Sequence, residues 1–461
     1  MIGDKIRHLS PSKKIAFSFL MIIFIGSLLL SLPVSQSAVS EAGYFQHLFT
    51  SVSMVCVTGL LTTPLITTYS LFGKVVCIFL MQIGGLGLMT ILAAFIVGVG
   101  KKISFKDKIA VSEALNRDKL GDFKNYLTSI IKYTAVIEGT AFIFLAVRLI
   151  PEYGTKNGFF HALFLAVSGF CNAGFDTLRG NSLQHYVHDP VVNIVMMVLI
   201  VLGGIGFSVW FDITQNVQSI FKKTGSRNLK RNYQRLQVHT RLAINISVFL
   251  LLFGIMLFLI VEWNNPSSIG DFSIGEKILA AVFQSTTFRT AGFTTVNFLD
   301  FKSFTNFFFV VISFIGGSPG GTAGGLKTTT VALVVLLMYN EIKGQKHINY
   351  AYHTIPTEIV RRALVVLVTF FVCFMVGTGL LLLFEQDQRP FHLIFETASA
   401  LTTIGLTVDN LTPQLSTVSQ VVIMILMFIG RIGPITIFLS LGRRNKKQKN
   451  YRYAETKILI G

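Results

Sequence analysis

Long apolar stretches separated by short polar connections dominate this chain. Six of them are apolar enough to cross a bilayer as helices, which takes roughly 20 residues. These stretches are Ile15–Leu32, Val75–Val99, Val191–Phe211, Leu242–Val261, Ala363–Phe384 and Val418–Leu441. The pattern predicts an all-α integral membrane protein.

Four shorter apolar segments lie between the long ones. They are Phe45–Val57, Phe159–Cys171, Glu276–Phe288 and Pro390–Thr402. A helix of this length spans roughly 20 Å, which is too short for a hydrocarbon core about 30 Å thick. We therefore predict four re-entrant half-helices, each entering and leaving the membrane from the same side.

Each half-helix is followed by a glycine, and these glycines recur at a nearly fixed period. Gly59, Gly174, Gly292 and Gly405 lie 115, 118 and 113 residues apart. Such a period indicates internal repeats. The expected architecture is four M1–P-loop–M2 repeats, with eight transmembrane helices and four pore half-helices around one pore. The predicted repeats cover residues 1–100, 101–221, 222–343 and 344–461.

A glycine-centred loop repeated four times around an axis can form a ring of backbone carbonyls, which replaces the water shell of a cation. The candidate filter comprises Val57, Thr58, Gly59, Asn172, Ala173, Gly174, Thr290, Ala291, Gly292, Thr403, Ile404 and Gly405. Helix-capping glycines in a duplicated transporter are the alternative. Six residues before the glycines come Ser53, Ser168, Thr286 and Ser399. Their hydroxyls either orient the filter backbone or, as small residues, permit close helix packing.

The third repeat carries a glycine-rich interruption between two short apolar segments. Its residues are Gly316, Gly317, Ser318, Pro319, Gly320, Gly321, Thr322, Ala323, Gly324 and Gly325. Irregular backbone at membrane depth is tolerated only beside a cavity or buried in protein, which favours a gate loop. A phosphate-binding loop is not expected, because the spacing around Lys327 does not match that motif and no strand precedes it. The equivalent places in the other three repeats carry shorter glycine-containing segments, which are Gly84–Gly87, Gly203–Gly206 and Gly430–Pro434.

Several charged or polar side chains fall close to these segments. Arg431 and Lys327 either face the pore and hold the gate shut or anchor helix ends. We expect Arg289 to pair with an acid and brace the third loop, with Glu138 and Glu396 as candidate partners. Loop acids that could attract cations, or be ordinary loop acids, are Asp176 and Asp300. Histidines expected to pack at the interface rather than bind metal are His47, His161 and His392.

The charge distribution orients the chain. The net charge is +18, and 29 of the 40 basic residues lie in residues 1–14, 101–124, 222–241, 341–362 and 443–457. This positive-inside pattern predicts cytoplasmic termini and explains the basic character without nucleic acid, with binding of anionic membrane lipid as an additional role. The four cysteines lack metal-site spacing, so we expect reduced thiols; a Cys56–Cys171 bridge is the alternative.

The four glycine loops together with the 316–325 interruption resemble the TrkH/TrkG/KtrB superfamily of potassium transporters, over nearly the whole chain. The likeness is greatest to KtrB, the membrane subunit of bacterial Ktr systems. The resemblance implies a K⁺ pathway through the four glycines, a gate at 316–325, a homodimer and stimulation by Na⁺. It also implies a separate cytosolic KtrA-type regulator ring that binds ATP or ADP and touches residues 101–124 and 222–241.

The favoured function is therefore K⁺ uptake across a bacterial plasma membrane, with no organic cofactor on this chain. A secondary transporter of a small solute, built on internal repeats, is the alternative. A membrane enzyme is not expected, because the spanning segments hold no nucleophile–base set, metal cluster or paired acids. The tail Thr456–Gly461 is expected either to dock at a dimer interface or to fray.

Overall fold

The computed structural model describes residues 11–87, 123–178, 182–222, 229–434 and 436–437. The described chain is mostly helical. One two-stranded antiparallel hairpin, β1 (Asn349–Tyr350) with β2 (His353–Thr354), lies in a connection near the third predicted boundary. Residues 101–122 of the predicted contact segment 101–124 and the tail Thr456–Gly461 lie outside the described residues.

The first half of the chain contains eight helices in its described part. They are α1 (Pro11–Ser31), α2 (Tyr44–Cys56), α3 (Leu65–Thr68), α4 (Leu71–Leu86), α5 (Phe123–Cys171), α6 (Pro190–Gly204), α7 (Phe207–Lys222) and α8 (Leu229–Arg235). Helix α5 leaves helical geometry at Gly154, where φ is 78°. The predicted half-helix Phe159–Cys171 lies after this break.

The second half contains seven helices in its described part. They are α9 (Val238–Glu262), α10 (Ile274–Thr287), α11 (Ser303–Ser313), α12 (Thr328–Ile342), α13 (Thr357–Phe384), α14 (Pro390–Thr402) and α15 (Thr417–Ile432). The predicted interruption between two short helices is confirmed, because α11 and α12 flank residues 314–327. Helix α14 has the predicted bounds.

The half-length segments form well-defined helices. Helices α2, α10 and α14 and the part of α5 after Gly154 are called the pore helices below. Helix α10 opens with a capping box, in which Ser273 and Glu276 satisfy each other's backbone amides. Each pore helix buries a phenylalanine 9 or 10 residues before its glycine: Phe49, Phe164, Phe283 and Phe395. The pore helices therefore lie in the core, whereas the long helices surround them.

The long helices expose apolar side chains. Among the described residues, four helices are long and apolar enough to cross a membrane: Ser12–Ser31, Asn125–Cys171, Val238–Glu262 and Thr357–Phe384. Along α9, the exposed side chains include Phe249, Leu252, Met256 and Ile260. Spacings of three and four residues put them on one face of the helix, as expected for a surface that meets lipid rather than water.

The second helices of the predicted repeats correct the sequence prediction. Membrane-spanning helices were expected over Val75–Val99, Val191–Phe211 and Val418–Leu441. Instead α4 and α15 end at Gly87 and Gly433, and the chain bends by 94° between α6 and α7 around Gly206. All three glycines have positive φ, between 81° and 97°, which ends a right-handed helix. The residues after Gly87 in the first segment lie outside the described part.

Candidate functional site: a glycine ring above a bonded loop

Three pore helices end in the same way. The residue two before the glycine takes a left-handed conformation at Val57, Asn172 and Thr403, with φ of 55° or 56°. The next amide reaches back to the helix, as Thr58 N donates to Ser53 O at 2.9 Å and Ile404 N donates to Ser399 O at 2.9 Å. This is a Schellman-type helix end. A β-branched residue in this region costs about 1–3 kcal/mol, so packing around the loops must hold the strain.

The third loop has the same backbone conformation but different hydrogen bonds. Thr290 also has a positive φ, of 64°. Here, however, Ala291 N donates to Thr287 O at 2.9 Å, and the hydroxyl of Thr287 donates to Phe293 O at 2.5 Å. The four loops are therefore equivalent in backbone conformation at the residue two before the glycine, although the third is braced differently.

The four loops close a ring of contacts. An added Cβ on Gly59 would lie 3.0 Å from the carbonyl oxygen of Ala173, and one on Gly174 would lie 3.0 Å from that of Ala291. A Cβ on Gly292 would meet the carbonyl of Ile404, and one on Gly405 would meet the carbonyl of Thr58. Each glycine thus abuts the carbonyl before the glycine of the next loop, in the order first, second, third, fourth and back to first.

The hydroxyls six residues before the glycines do not all act alike. Ser53 Oγ accepts from Gly59 N at 3.3 Å, and Ser168 Oγ accepts from Phe175 N at 3.0 Å. Thr286 Oγ1 instead donates to Val282 O within its own helix, and Ser399 Oγ has no hydrogen-bond partner among the described residues. Orientation of the loop backbone therefore holds for the first two loops and not for the other two.

The 316–325 interruption is bonded to the break between α6 and α7. Ser318 N donates to Gly204 O at 2.8 Å, and Thr322 N donates to Gly203 O at 3.1 Å. In the other direction, Phe207 N donates to Gly320 O at 3.1 Å. The interruption and the α6–α7 break are thus paired backbone to backbone.

The interruption also folds on itself and touches the ring. Gly316 N donates to Leu326 O at 2.8 Å, and Leu326 N donates to Phe314 O at 3.1 Å. A Cβ on Gly324 would overlap the hydroxyl of Thr403. The loop therefore lies directly against Thr403 of the fourth glycine loop.

Arg431 in α15 forms hydrogen bonds with the 316–325 interruption and with the end of α4. Its guanidinium donates to the carbonyl oxygens of Thr322, Gly84 at 2.6 Å and Gly85 at 2.9 Å. Lys327 Nζ donates to Ala323 O at 2.8 Å. No carboxylate in the described part of the chain forms an ion pair with either cation. Lys327 therefore donates to a backbone carbonyl of the loop, and Arg431 donates to one carbonyl of the loop and to two at the end of α4.

Arg289 does not have the acidic partner that the sequence suggested. Its Nη2 donates to Ser247 Oγ at 2.9 Å, and no described carboxylate lies within ion-pair distance. Glu138 accepts from Gln82 Nε2 at 3.1 Å, and Glu396 accepts from the Thr412 hydroxyl. The two acids are held by neighbouring polar side chains instead, so the predicted pairing was wrong.

The remaining candidates lie in the pore helices or in the connections that follow the glycine loops. Asp176 accepts from Leu178 N at 3.0 Å, within its own loop, and the Asp300 carbonyl accepts from Asn265. His47 Nδ1 lies 3.0 Å from the Tyr69 hydroxyl, and His161 packs edge-on against Tyr153. His47 and His161 are thus held by packing within the helices, and Asp176 and Asp300 by hydrogen bonds of their own connections. The cysteines Cys56, Cys77, Cys171 and Cys373 are free, so no Cys56–Cys171 bridge is present.

The comparison with known families covers nearly the whole chain. The model of the cation transport protein family TrkH matches residues 6–451. The chain belongs to the TrkH family. It is 36% identical to Ktr system potassium uptake protein B of Bacillus subtilis, covering 98% of this chain and 97% of the relative. It is 35% identical to the potassium/sodium uptake protein NtpJ of Enterococcus hirae, covering 99% and 98% of the two chains.

A solved structure shares the fold of this TrkH family member. The crystal structure of the potassium transporter TrkH from Vibrio parahaemolyticus matches with a TM-score of 0.69 over 93% of this chain and 85% of that one, at 20% identity. The chain is thus a helical, multi-pass membrane protein of a transport family and not an enzyme.

Two features of this TrkH family member were missed in the sequence. The buried Glu262 accepts from Asn265, Ser268, Lys302 N and Thr305, and so joins the end of α9 to the start of α11. An acid at the end of an apolar run was the available sign. The second missed feature is the pairing of the α6–α7 break with the 316–325 interruption, and no sign of it was present in the sequence. The pairing joins glycines about 115 residues apart, and local sequence patterns do not report contacts over that separation.

Proposed function

We propose that this chain takes up K⁺ through a single pore built from four M1–P-loop–M2 repeats, with eight spanning helices and the boundaries predicted above. The names of its relatives, a potassium uptake protein and a potassium/sodium uptake protein, support K⁺ as the main ion and Na⁺ as a second ion acting on the system. K⁺ is here the transported substrate.

The observation that carries the proposal is the closed ring of glycine loops. The loops follow one another around the ring in chain order. Each glycine lies against the carbonyl of the residue before the glycine in the next loop. Backbone carbonyls arranged around an axis are the chemistry that replaces the hydration shell of a cation. The filter is proposed to comprise the three residues of each loop that end at Gly59, Gly174, Gly292 and Gly405.

The gate is proposed to be the 316–325 interruption together with Lys327 and Arg431. The loop lies against Thr403. Lys327 and Arg431, which lack a carboxylate partner in the described chain, donate to its backbone carbonyls. Positive charge beside a cation pathway raises the energy of a cation there. We propose that the loop closes the pathway until it moves aside.

The assembly is proposed to be a homodimer with one pore per subunit, with both termini in the cytoplasm of a bacterial cell. A separate nucleotide-binding ring would control it from the cytosolic side. Support comes from the full-length likeness to a Ktr system subunit and from the basic sequences of the connections 101–124 and 222–241, a composition typical of cytoplasmic loops.

The test is growth of cells that lack K⁺ uptake, at low external K⁺, with this chain expressed alone and with a Ktr-type regulator. Rescue that depends on K⁺, and that rises when Na⁺ is added, supports the proposal. Failure with the regulator, combined with accumulation of a small organic solute in the same cells, would favour the secondary transporter instead.

A further inference from the structure

A buried arginine at the start of α9 has no partner in the described part of the chain. Arg241 is 9% exposed, and its Nε is fully enclosed without a hydrogen bond. The whole guanidinium forms neither a hydrogen bond nor an ion pair with any described residue. A buried charge that nothing compensates is costly, so its place in the fold calls for a ligand that accepts hydrogen bonds.

A second unused donor lies beside this guanidinium. Asn245, one turn along the same face of α9, accepts from the Tyr233 hydroxyl at 2.8 Å and donates through Nδ2 to the Tyr350 hydroxyl at 3.0 Å. Because the Tyr350 oxygen accepts here, its own proton remains to be donated, and no described residue accepts it. Burial raises the pKa of Tyr350, while the hydrogen bond from Asn245 and the nearby charge of Arg241 lower it. Two unsatisfied donors therefore lie close together.

These donors lie at the end of the exposed apolar face of α9. Asn245 is exposed, and the same face continues through Phe249 and the other exposed side chains to Ile260. Arg241 and Ile260 are 19 residues apart, which in a helix is roughly 28 Å, close to the thickness of a hydrocarbon core. Arg241 thus lies at the depth where acyl chains end and lipid headgroups begin.

The chain around these donors carries only positive charge. No acidic residue occurs between Asp212 and Glu262, whereas residues 222–241 include seven lysines and arginines. Asp212 is already engaged, because its Oδ2 accepts from Gln237 N at 2.9 Å, and Glu262 lies at the far end of α9. This stretch therefore offers no acid to the ammonium group of a zwitterionic headgroup and favours a headgroup with a net negative charge.

We propose that Arg241 and the Tyr350 hydroxyl bind the phosphate of an anionic phospholipid, whose acyl chains lie along the exposed face of α9. The planar fork of arginine matches the oxygens of a phosphate, and tyrosine is enriched at the boundary between membrane and water. The lipid thereby joins the start of α9 to β1. Its assignment to the cytoplasmic leaflet rests on the orientation given under the proposed function, whereas the binding itself requires no K⁺ transport.

The test titrates the delipidated full chain, without regulator, with phosphatidylglycerol and counts bound lipid by native mass spectrometry. We expect Arg241→Gln to weaken the apparent affinity of the tightest lipid about tenfold, the factor that roughly 1.4 kcal/mol gives. Arg241→Lys keeps the charge without the fork and should recover only part of the loss. Arg235→Gln is the matched control, because it removes the same charge at an exposed position of α8 and should bind like the unmodified chain.

The tyrosines supply a second, independent pair of variants. Tyr350→Phe removes the donor to the phosphate, so we expect about a fivefold loss of affinity, as for one hydrogen bond of roughly 1 kcal/mol. Tyr233→Phe is its control, because the Tyr233 hydroxyl donates to Asn245 instead. If Arg241→Gln elutes as aggregate, this pair decides, and equal affinities in the two variants would overturn the site.

The remaining outcomes identify what occupies the site. Phosphatidylcholine that binds as tightly as phosphatidylglycerol overturns the anionic preference, and inorganic phosphate that displaces the lipid at equal concentration overturns the lipid itself. An Arg241→Gln chain that keeps its phosphatidylglycerol but no longer binds a Ktr-type regulator assigns Arg241 to a protein contact. A chain that binds phosphatidylglycerol as expected and moves no K⁺ overturns the proposed function and leaves this site standing.

Discussion

Nη2 of Arg431 lies 2.6 Å from the carbonyl oxygen of Gly84, a residue 347 positions earlier in the chain. The same guanidinium donates to Gly85 O and to Thr322 O in the 316–325 interruption, the proposed gate loop. Arg431 therefore ties the loop to the end of α4 and to α15 at once. A planar fork with several donors is needed for this, and a lysine ammonium cannot reproduce it.

Replacing Arg431 should open the gate. In Arg431→Gln the charge and the fork are both lost, so we expect flux without regulator nucleotide to rise about tenfold or more, since charged hydrogen bonds contribute roughly 1.5–3 kcal/mol each. Arg431→Lys separates the two causes, because it keeps the charge. Recovery of closure in the lysine variant would indicate that charge holds the gate, whereas unchanged basal flux in both variants would contradict the clamp.

The ring glycines should tolerate no side chain. In Gly174→Ala the new methyl lies 3.0 Å from Ala291 O and 2.9 Å from Gly292 Cα, on a backbone with φ of 72°. Both effects distort the third loop, so we expect K⁺ flux to fall by at least about tenfold, a cost of roughly 1.4 kcal/mol. Gly139→Ala in α5 is the control, because nothing lies within 4 Å of the added methyl. Equal flux in both variants would argue against a tight ring.

The pore helices could be predicted because their evidence is local. Pro390 begins α14, and the 13 apolar-rich residues up to Thr402 fix its length. The left-handed residues before the glycines were not foreseen, since valine and threonine disfavour that conformation. Packing around Val57 and Thr403 overrides the local preference.

The sequence analysis did not predict that the second helix of each repeat would break, and the reason is physical. A Gly-Gly pair inside an apolar run costs a helix only about 1 kcal/mol per glycine, so Gly203–Gly206 reads as a tolerable weak point. What breaks the helix is tertiary: Gly203 O and Gly204 O accept from the gate loop, and Phe207 N donates to it. The partner of Arg289 was mispredicted for the same kind of reason. Its partner Ser247 lies in α9 and is brought close by the packing of helices, which the local sequence does not show.

Glu262 should matter for stability rather than for conduction. Its carboxylate accepts four hydrogen bonds, including those from Ser268 Oγ at 2.8 Å and Lys302 N at 3.0 Å. Glu262→Gln presents an amide donor to these donors, so we expect a loss of about 1–3 kcal/mol in stability. Thermal unfolding in detergent measures it. Glu341→Gln, at an exposed position of α12, is the control, and equal melting temperatures would contradict the role.

Helix α7 should move with the gate loop. Phe207 N donates to Gly320 O, so the loop cannot leave its place without breaking this bond or pulling α7 along. The next residue, Ser208, lies with its Oγ 3.5 Å from Nε2 of His239 in α9. A thiol and an imidazole about 3.5 Å apart suit a bridging Zn²⁺, with bonds of about 2.3 and 2.0 Å.

In Ser208→Cys, we therefore expect micromolar Zn²⁺ to pin α7 to α9 and to block activation of K⁺ flux by the regulator. Zinc should leave the unmodified chain and Ser208→Cys/His239→Ala unaffected. Full activation of Ser208→Cys with zinc bound would mean that the loop opens while α7 stays in place.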